Sequence, residues 1–172
     1  TFSSRGLGDV YKRQDKDSFE KAKPILQGMG KNIVHCGSGG LGQATKICNN
    51  MLAGINALAA AEAMTMGERL GVSPDILYEV ISTSTGRSYI FETSNPMPDV
   101  CSTSPANNKF KPGFMAKLML KDLRLSQAAA QDAKTSTPLG AAATAAFQQL
   151  IDSGFGDLDT SSIIKVIKPE SK

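Results

Sequence analysis

The stretch from Gly42 to about Arg69 constrains this chain most, because it holds no proline and no turn cluster and is dominated by Ala, Leu and Met. Such residues lose little rotamer freedom in a helix, so the run is predicted to form one long helix. After Met51 its residues are apolar or small on nearly every face, which predicts a helix enclosed by others. Gly54, Ala57, Ala60 and Ala61 would let those neighbours approach closely. Asn56 and Glu62 interrupt the apolar run, which falls short of the roughly 18 uninterrupted apolar residues that a membrane helix needs, so no membrane partner is expected.

Start and stop signals partition the rest. Asp17 with Glu20 three residues on reads as a capping box, opening a short helix disturbed near Pro24 and stopped at Gly28 or Gly30. The segment "NIVHC" reads as a brief strand on Ile33 and Val34, with its partner strands missing. Ser73 with Pro74 opens a helix to about Ser82, and Thr137 with Pro138 opens another ending at Gly154. Between Thr83 and Pro112, four prolines among Ser, Thr and Asn predict a long, functional-looking loop, with a turn or two of helix in "SYIFETS". Leu118, Met119, Leu123 and Leu125 restore helical spacing, continuing to about Lys134, and "DTSSIIKVIKP" gives a last helix stopped by Pro169. The predicted class is all-α, a helical bundle built on one long central helix with a short αβ stub at the N-terminus.

Composition removes several function classes. A net charge of +3 over 172 residues, with dispersed basic residues, gives no electrostatic footprint for nucleic acid. Cys36, Cys48 and Cys101 are scattered, and with the lone His35 they form no C-x-x-C pair or Cys/His cluster, so no metal site is expected. Each thiol is expected to be a small buried apolar group.

Residues Ser4–Gln14, "SRGLGDVYKRQ", follow no helix or strand period. All eleven match the translation of a transposon-end adaptor used in sequencing libraries, so residues 1–14 are set apart as foreign or as a disordered tail, with native sequence upstream of Asp15 lost. The expected organisation is then 15–41 as the end of a preceding domain, 42–168 as a helical domain and 169–172 as a tail.

Gly37, Gly39 and Gly42 spell G-x-G-x-x-G, the dinucleotide fingerprint. That fingerprint requires a second parallel strand ending in an acidic residue about 20 residues on, whereas Glu62, at that distance, falls inside a predicted helix. The glycines are instead expected to provide a tight passage from strand to helix. Just beyond them Lys46 and Asn50 are spaced i, i+4 and project from one helix face, beside Asn49. They suit either a solvated first turn or, if Lys46 is partly desolvated, a general acid/base beside a hydrogen-bonding amide.

The segment "GSGGLGQATKICNN" carries G-x-x-G-x-G-x-x-x-K-x-x-x-N on Gly37, Gly40, Gly42, Lys46 and Asn50, and resembles the signature of the β-hydroxyacid dehydrogenases. "AEAM", "GERLG", "SNPMPDV", "PANN" and "GFMAKLMLKDLRL" resemble the carboxy-terminal half of that family in order and spacing. The resemblance implies a preceding Rossmann domain for NAD, whose last strand would be "NIVHC", and an NAD-dependent oxidation of a small 3-hydroxy acid that the fragment alone would not perform. It implies Lys46 as the catalytic residue, Asn50 and Gly40 as substrate-binding, and Lys121 and Phe114 as cofactor-binding, with Asp122 orienting or capping. It further implies a homo-oligomer formed through the helical part, and a mitochondrial matrix location from its eukaryotic members. The alternatives are a sister dehydrogenase acting on tartronate or succinic semialdehyde, or a non-catalytic helical interaction module.

Overall fold

The computed structural model describes residues 9–12 and 16–168, and it divides into two compact units, Thr1–Asn49 and Asn50–Lys172. In the first unit, β1 (Asp9–Lys12), α1 (Lys16–Gln27) and β2 (Asn32–His35) follow in order. β1 and β2 pair in parallel, with Asp9 opposite Asn32 and Lys12 opposite His35. Parallel neighbours need a crossover connection, and α1 supplies it. The all-α reading is therefore corrected, because a β–α–β unit over Asp9–His35 stands ahead of the helices. The stretch set apart as foreign contributes one of the two strands, its Val10 and Tyr11 being good strand formers, so β2 has a partner within this chain. The expected tail, with Pro169 as a stop signal, lies outside the described residues.

Helix α1 begins one residue ahead of Asp17, which stands in the first turn, where a carboxylate complements the helix dipole, and Pro24 is carried inside the helix. Phe19 and Leu26, seven residues apart, are buried on one face, and the Phe19 ring lies 4.8 Å from that of His35. After β2 the chain turns through Gly37 (φ 99°) and Gly40 (φ 96°), both in the left-handed region that favours glycine. A Cβ on Gly37 would come within 2.9 Å of a Leu41 methyl, while the Gly40 carbonyl accepts from the Gln43 and Ala44 amides to open the next helix. The glycines thus make the expected strand-to-helix passage. No strand follows them among the described residues, apart from an isolated bridge between Met115 and Asp159.

Helix α2 (Leu41–Arg69) is the long helix expected from its composition. The second unit continues with α3 (Pro74–Ser82), α4 (Tyr89–Thr93), α5 (Ala116–Asp132), α6 (Pro138–Asp152) and α7 (Ile164–Ile167), with 3₁₀ turns at Pro105–Asn108 and Thr160–Ile163. Its core gathers Ala57, Ala61 and Met64 of α2, Leu123 of α5, Phe147 and Leu150 of α6, and Ile163. Close approach at Gly54 is real, since a Cβ there would lie 2.9 Å from a Leu123 methyl and 3.1 Å from the Met119 sulfur.

The expectation that α2 is enclosed on all sides is corrected. Leu52 and Met66 remain 56% and 63% exposed, and with Ala59 they recur every seven residues, so one stripe of the helix is left uncovered by this chain. The segment from Thr83 to Pro112 is tightly organised by polar side chains, the buried Asn95 and the exposed Asn107 among them. Asn95 donates to the Phe91 carbonyl and accepts from the Met97 amide, while Asn107 bridges the Asp99 amide and the Cys101 carbonyl.

Candidate functional site

Within the helical unit, two of the candidate residues, Asn50 and Lys121, converge on one carboxylate. Asp122 falls on the buried side of α5, between Leu120 and Leu123 on one hand and Ser126 on the other, and is 7% exposed. A carboxylate in that position needs partners to offset its lost hydration. Asn50 of α2 supplies one, its Nδ2 donating to Asp122 Oδ2 at 2.7 Å across 72 residues of sequence. Lys121 supplies the other, its Nζ lying 2.7 Å from Asp122 Oδ1.

These two contacts differ in weight. The Lys121 side chain is 58% exposed, so its ion pair with an adjacent residue contributes little to stability. The Asn50 bond is short, part-buried and charge-assisted, and it fixes which way the amide faces. Asp122→Ala is accordingly expected to lose about 1–3 kcal/mol of stability, because it removes the charge-assisted bond from the Asn50 amide. Asp122→Asn should lose less, since Oδ1 of an asparagine still accepts from one donor. Urea denaturation of the three chains checks the order.

Lys46 belongs to α2, one turn ahead of Asn50, and is half-buried. Gly40 is exposed at the end of the glycine loop with φ 96°, and a Cβ placed on it would meet nothing within 4 Å, so the backbone there is open to a ligand. Lys46 and Gly40 lie in the first unit, Asn50, Lys121 and Phe114 in the second. Phe114 is partly buried against the core in the turn that precedes α5. The role of Asp122 as the hub was underweighted in the sequence, where it reads only as a companion of Lys121. Asp159, whose carboxylate accepts from the Gly113 and Phe114 amides, was missed altogether.

The thiols behave differently from one another. Cys48 is exposed and Cys36 half-buried, which corrects the expectation that all three are core groups; only Cys101 is buried. Its thiol donates to the Glu92 carbonyl, which also accepts from the Tyr78 hydroxyl at 2.8 Å. Burial pushes the Cys101 thiol up, but hydrogen bonds from the Thr103 side chain and amide, the Tyr78 hydroxyl and the Ser104 amide outweigh it and hold the thiol below its ordinary value. Tyr78 is displaced upward by burial and by its hydrogen bond to Cys101. No group of three or more His, Cys, Asp or Glu able to hold a metal occurs among the described residues, and no helix there is long and apolar enough to cross a membrane.

Residues 40–167 match the family described as NAD-binding of NADP-dependent 3-hydroxyisobutyrate dehydrogenase. The chain belongs to this family of β-hydroxyacid dehydrogenases, and NAD is the family's cofactor.

Among its relatives, the NAD-dependent L-serine dehydrogenase of Pseudomonas aeruginosa is 39% identical over 155 residues, covering 90% of this chain and 52% of the relative. The mitochondrial 3-hydroxyisobutyrate dehydrogenase of Drosophila melanogaster is 40% identical over 152 residues, covering 88% of this chain and 47% of the relative. The solved Mycobacterium tuberculosis 3-hydroxyisobutyrate dehydrogenase with L-serine superposes with a TM-score of 0.87 at 38% identity, covering 93% of this chain and 55% of that one. The chain spans about half the length of the curated relatives it matches.

Proposed function

We propose that this chain is the substrate-facing part of an NAD-dependent 3-hydroxyisobutyrate dehydrogenase, which oxidises 3-hydroxyisobutyrate to methylmalonate semialdehyde in valine breakdown. The observation that carries the reading is the Asn50–Asp122–Lys121 arrangement, found in a chain that matches the family over residues 40–167. Lys46 takes the proton of the substrate hydroxyl as general base. Asn50, its amide donating to Asp122, orients the substrate hydroxyl or carboxylate. A part-buried amide matched to a polar group of the substrate discriminates better than apolar contact. Gly40, without a side chain, lets the backbone approach the substrate.

The side chains offered to NAD suit it chemically. Lys121 brings a half-exposed ammonium and Phe114 a partly buried aromatic ring, matching a ligand that joins anionic phosphates to aromatic bases. Bound there, NAD supplies the hydride acceptor. The fragment alone is inactive and the whole protein is a homo-oligomer in this reading, and the likeness to mitochondrial relatives supports a matrix location.

L-Serine is a second candidate substrate, favoured by the P. aeruginosa relative and by the L-serine in the M. tuberculosis structure. It also is a 3-hydroxy acid, so Lys46 and Asn50 would serve it in the same way. The two are separated by carrying this chain behind the amino-terminal half of the M. tuberculosis relative and measuring NAD reduction. The expected result is a kcat/KM for 3-hydroxyisobutyrate at least about tenfold above that for L-serine. A reversed order would assign the chain to serine, and no reduction with either would remove the dehydrogenase reading.

A further inference from the structure

We propose that Asp159 is a positioning residue, whose buried carboxylate fixes the Gly113–Phe114 backbone and so sets where the Phe114 ring stands against the nicotinamide. The proposal rests on the placement of Phe114 at the cofactor under Proposed function. Asp159 is 4% exposed, and its two oxygens have separate tasks. Oδ1 accepts from the Ser161 amide and hydroxyl, each at 2.9 Å, which is all that capping the following 3₁₀ turn requires. Oδ2 is surplus to that cap. It accepts from the Gly113 amide at 3.0 Å and the Phe114 amide at 2.9 Å, some 45 residues away in sequence.

The other side of Phe114 is held as well. Its carbonyl accepts from both the amide and the hydroxyl of Thr160, each at 2.9 Å. Phe114 is thus gripped at N–H and C=O by two consecutive residues, and charge-assisted bonds to a carboxylate are the stronger kind. The segment leading into this grip is strained. Lys109 (φ 51°) and Phe110 (φ 58°) are consecutive non-glycine residues in the left-handed region. Such a pair persists only where its surroundings over-determine it, and strain of this sort gathers at ligand sites. Here the Phe110 amide donates to the Pro105 carbonyl, its carbonyl accepts from the Asp159 amide, and the Lys165 ammonium sits 5.4 Å from its ring centroid. Asp159 therefore joins the strained entry, the gripped aromatic and the start of α5, where the Ala116 amide donates to the neighbouring Leu158 carbonyl.

The test uses the enzyme completed with the amino-terminal half of the M. tuberculosis relative, and compares Asp159→Asn, Phe114→Ala and the double variant. A displaced ring misaligns the nicotinamide with little change in the rest of its binding. Asp159→Asn is thus expected to lower kcat about tenfold, leave KM for NAD within about threefold, and raise the primary deuterium isotope effect on hydride transfer. In the Phe114→Ala background the same substitution should change kcat less than about twofold, because residues acting through one another are not additive.

An unchanged kcat in Asp159→Asn, or an equal fall in both backgrounds, overturns the proposal. If Asp159→Asn does not fold, Thr160→Val, which removes one bond to the Phe114 carbonyl, must lower kcat in the same direction and lose its effect in Phe114→Ala; no change there also overturns it. A Phe114→Ala enzyme with unaltered kinetics overturns the proposal alone, provided that Lys46→Ala is impaired. A parent inert towards every hydroxy acid overturns the dehydrogenase reading with it.

Discussion

Replacing Lys46 with alanine in the completed enzyme is expected to lower kcat/KM at least about a hundredfold, with stability nearly unchanged. The size follows from the chemistry. Oxidation of a hydroxyl to a carbonyl requires its proton to leave as the hydride does, and general acid/base groups contribute about 10²–10⁴-fold to such steps. Lys46 is half-buried on a helix and has no aromatic or carboxylate neighbour in the sequence to replace it. Lys46→Arg should be nearly as poor as alanine, because a guanidinium stays protonated and cannot accept the proton. Steady-state kinetics with saturating NAD checks this, and activity within a few-fold of the parent would remove the catalytic assignment. A non-catalytic helical module, the reading from a different class, expects that null result.

The second large effect is structural. Phe147→Ala should cost about 3–5 kcal/mol in the helical unit, seen as an earlier urea midpoint. Phe147 is fully buried on α6, on the face shared with Gly140, Ala143 and Leu150, and belongs to the cluster that includes Met64, Leu123 and Ile163. An aromatic ring in that position leaves a cavity that close-packed neighbours cannot fill by small movements. A loss under about 1 kcal/mol would mean that the ring is not the centre of this core.

How much could be read from the sequence depended on the range of the interaction. Pro74 after Ser73 and Pro138 after Thr137 fix helix starts locally, and α3 and α6 begin at those prolines. The small residues Gly54, Ala57 and Ala61 announced close packing, which Leu123 and Met119 provide. Two failures were of a different kind. The strand Asp9–Lys12 was discounted because its residues matched an adaptor translation, yet Val10 and Tyr11 have strand propensity whatever their origin, and a parallel partner at Asn32–His35 lies within reach of a twelve-residue helix. The uncovered stripe of α2 was also misjudged, because an apolar composition shows that a face can be buried but not whether this chain supplies the cover.

The candidate site divides along the same line. Lys46 and Asn50 could be singled out because four residues on a helix is a local spacing. The bond from Asn50 to Asp122 spans 72 residues and depends on how α2 and α5 are packed, which no local pattern encodes. Asp159 is harder still. Its cap on Ser161 is a local signal, whereas its hold on Phe114 is set by the antiparallel contact between Met115 and Asp159.

The most direct measurement is a crystal structure of the completed enzyme with NAD and 3-hydroxyisobutyrate. The expected result is Lys46 Nζ within about 2.6–3.2 Å of the substrate hydroxyl oxygen. The Asn50 amide should bond to the same substrate while still donating to Asp122. A Lys46 ammonium pointing into open solvent, with the hydroxyl held by other groups, would contradict the account.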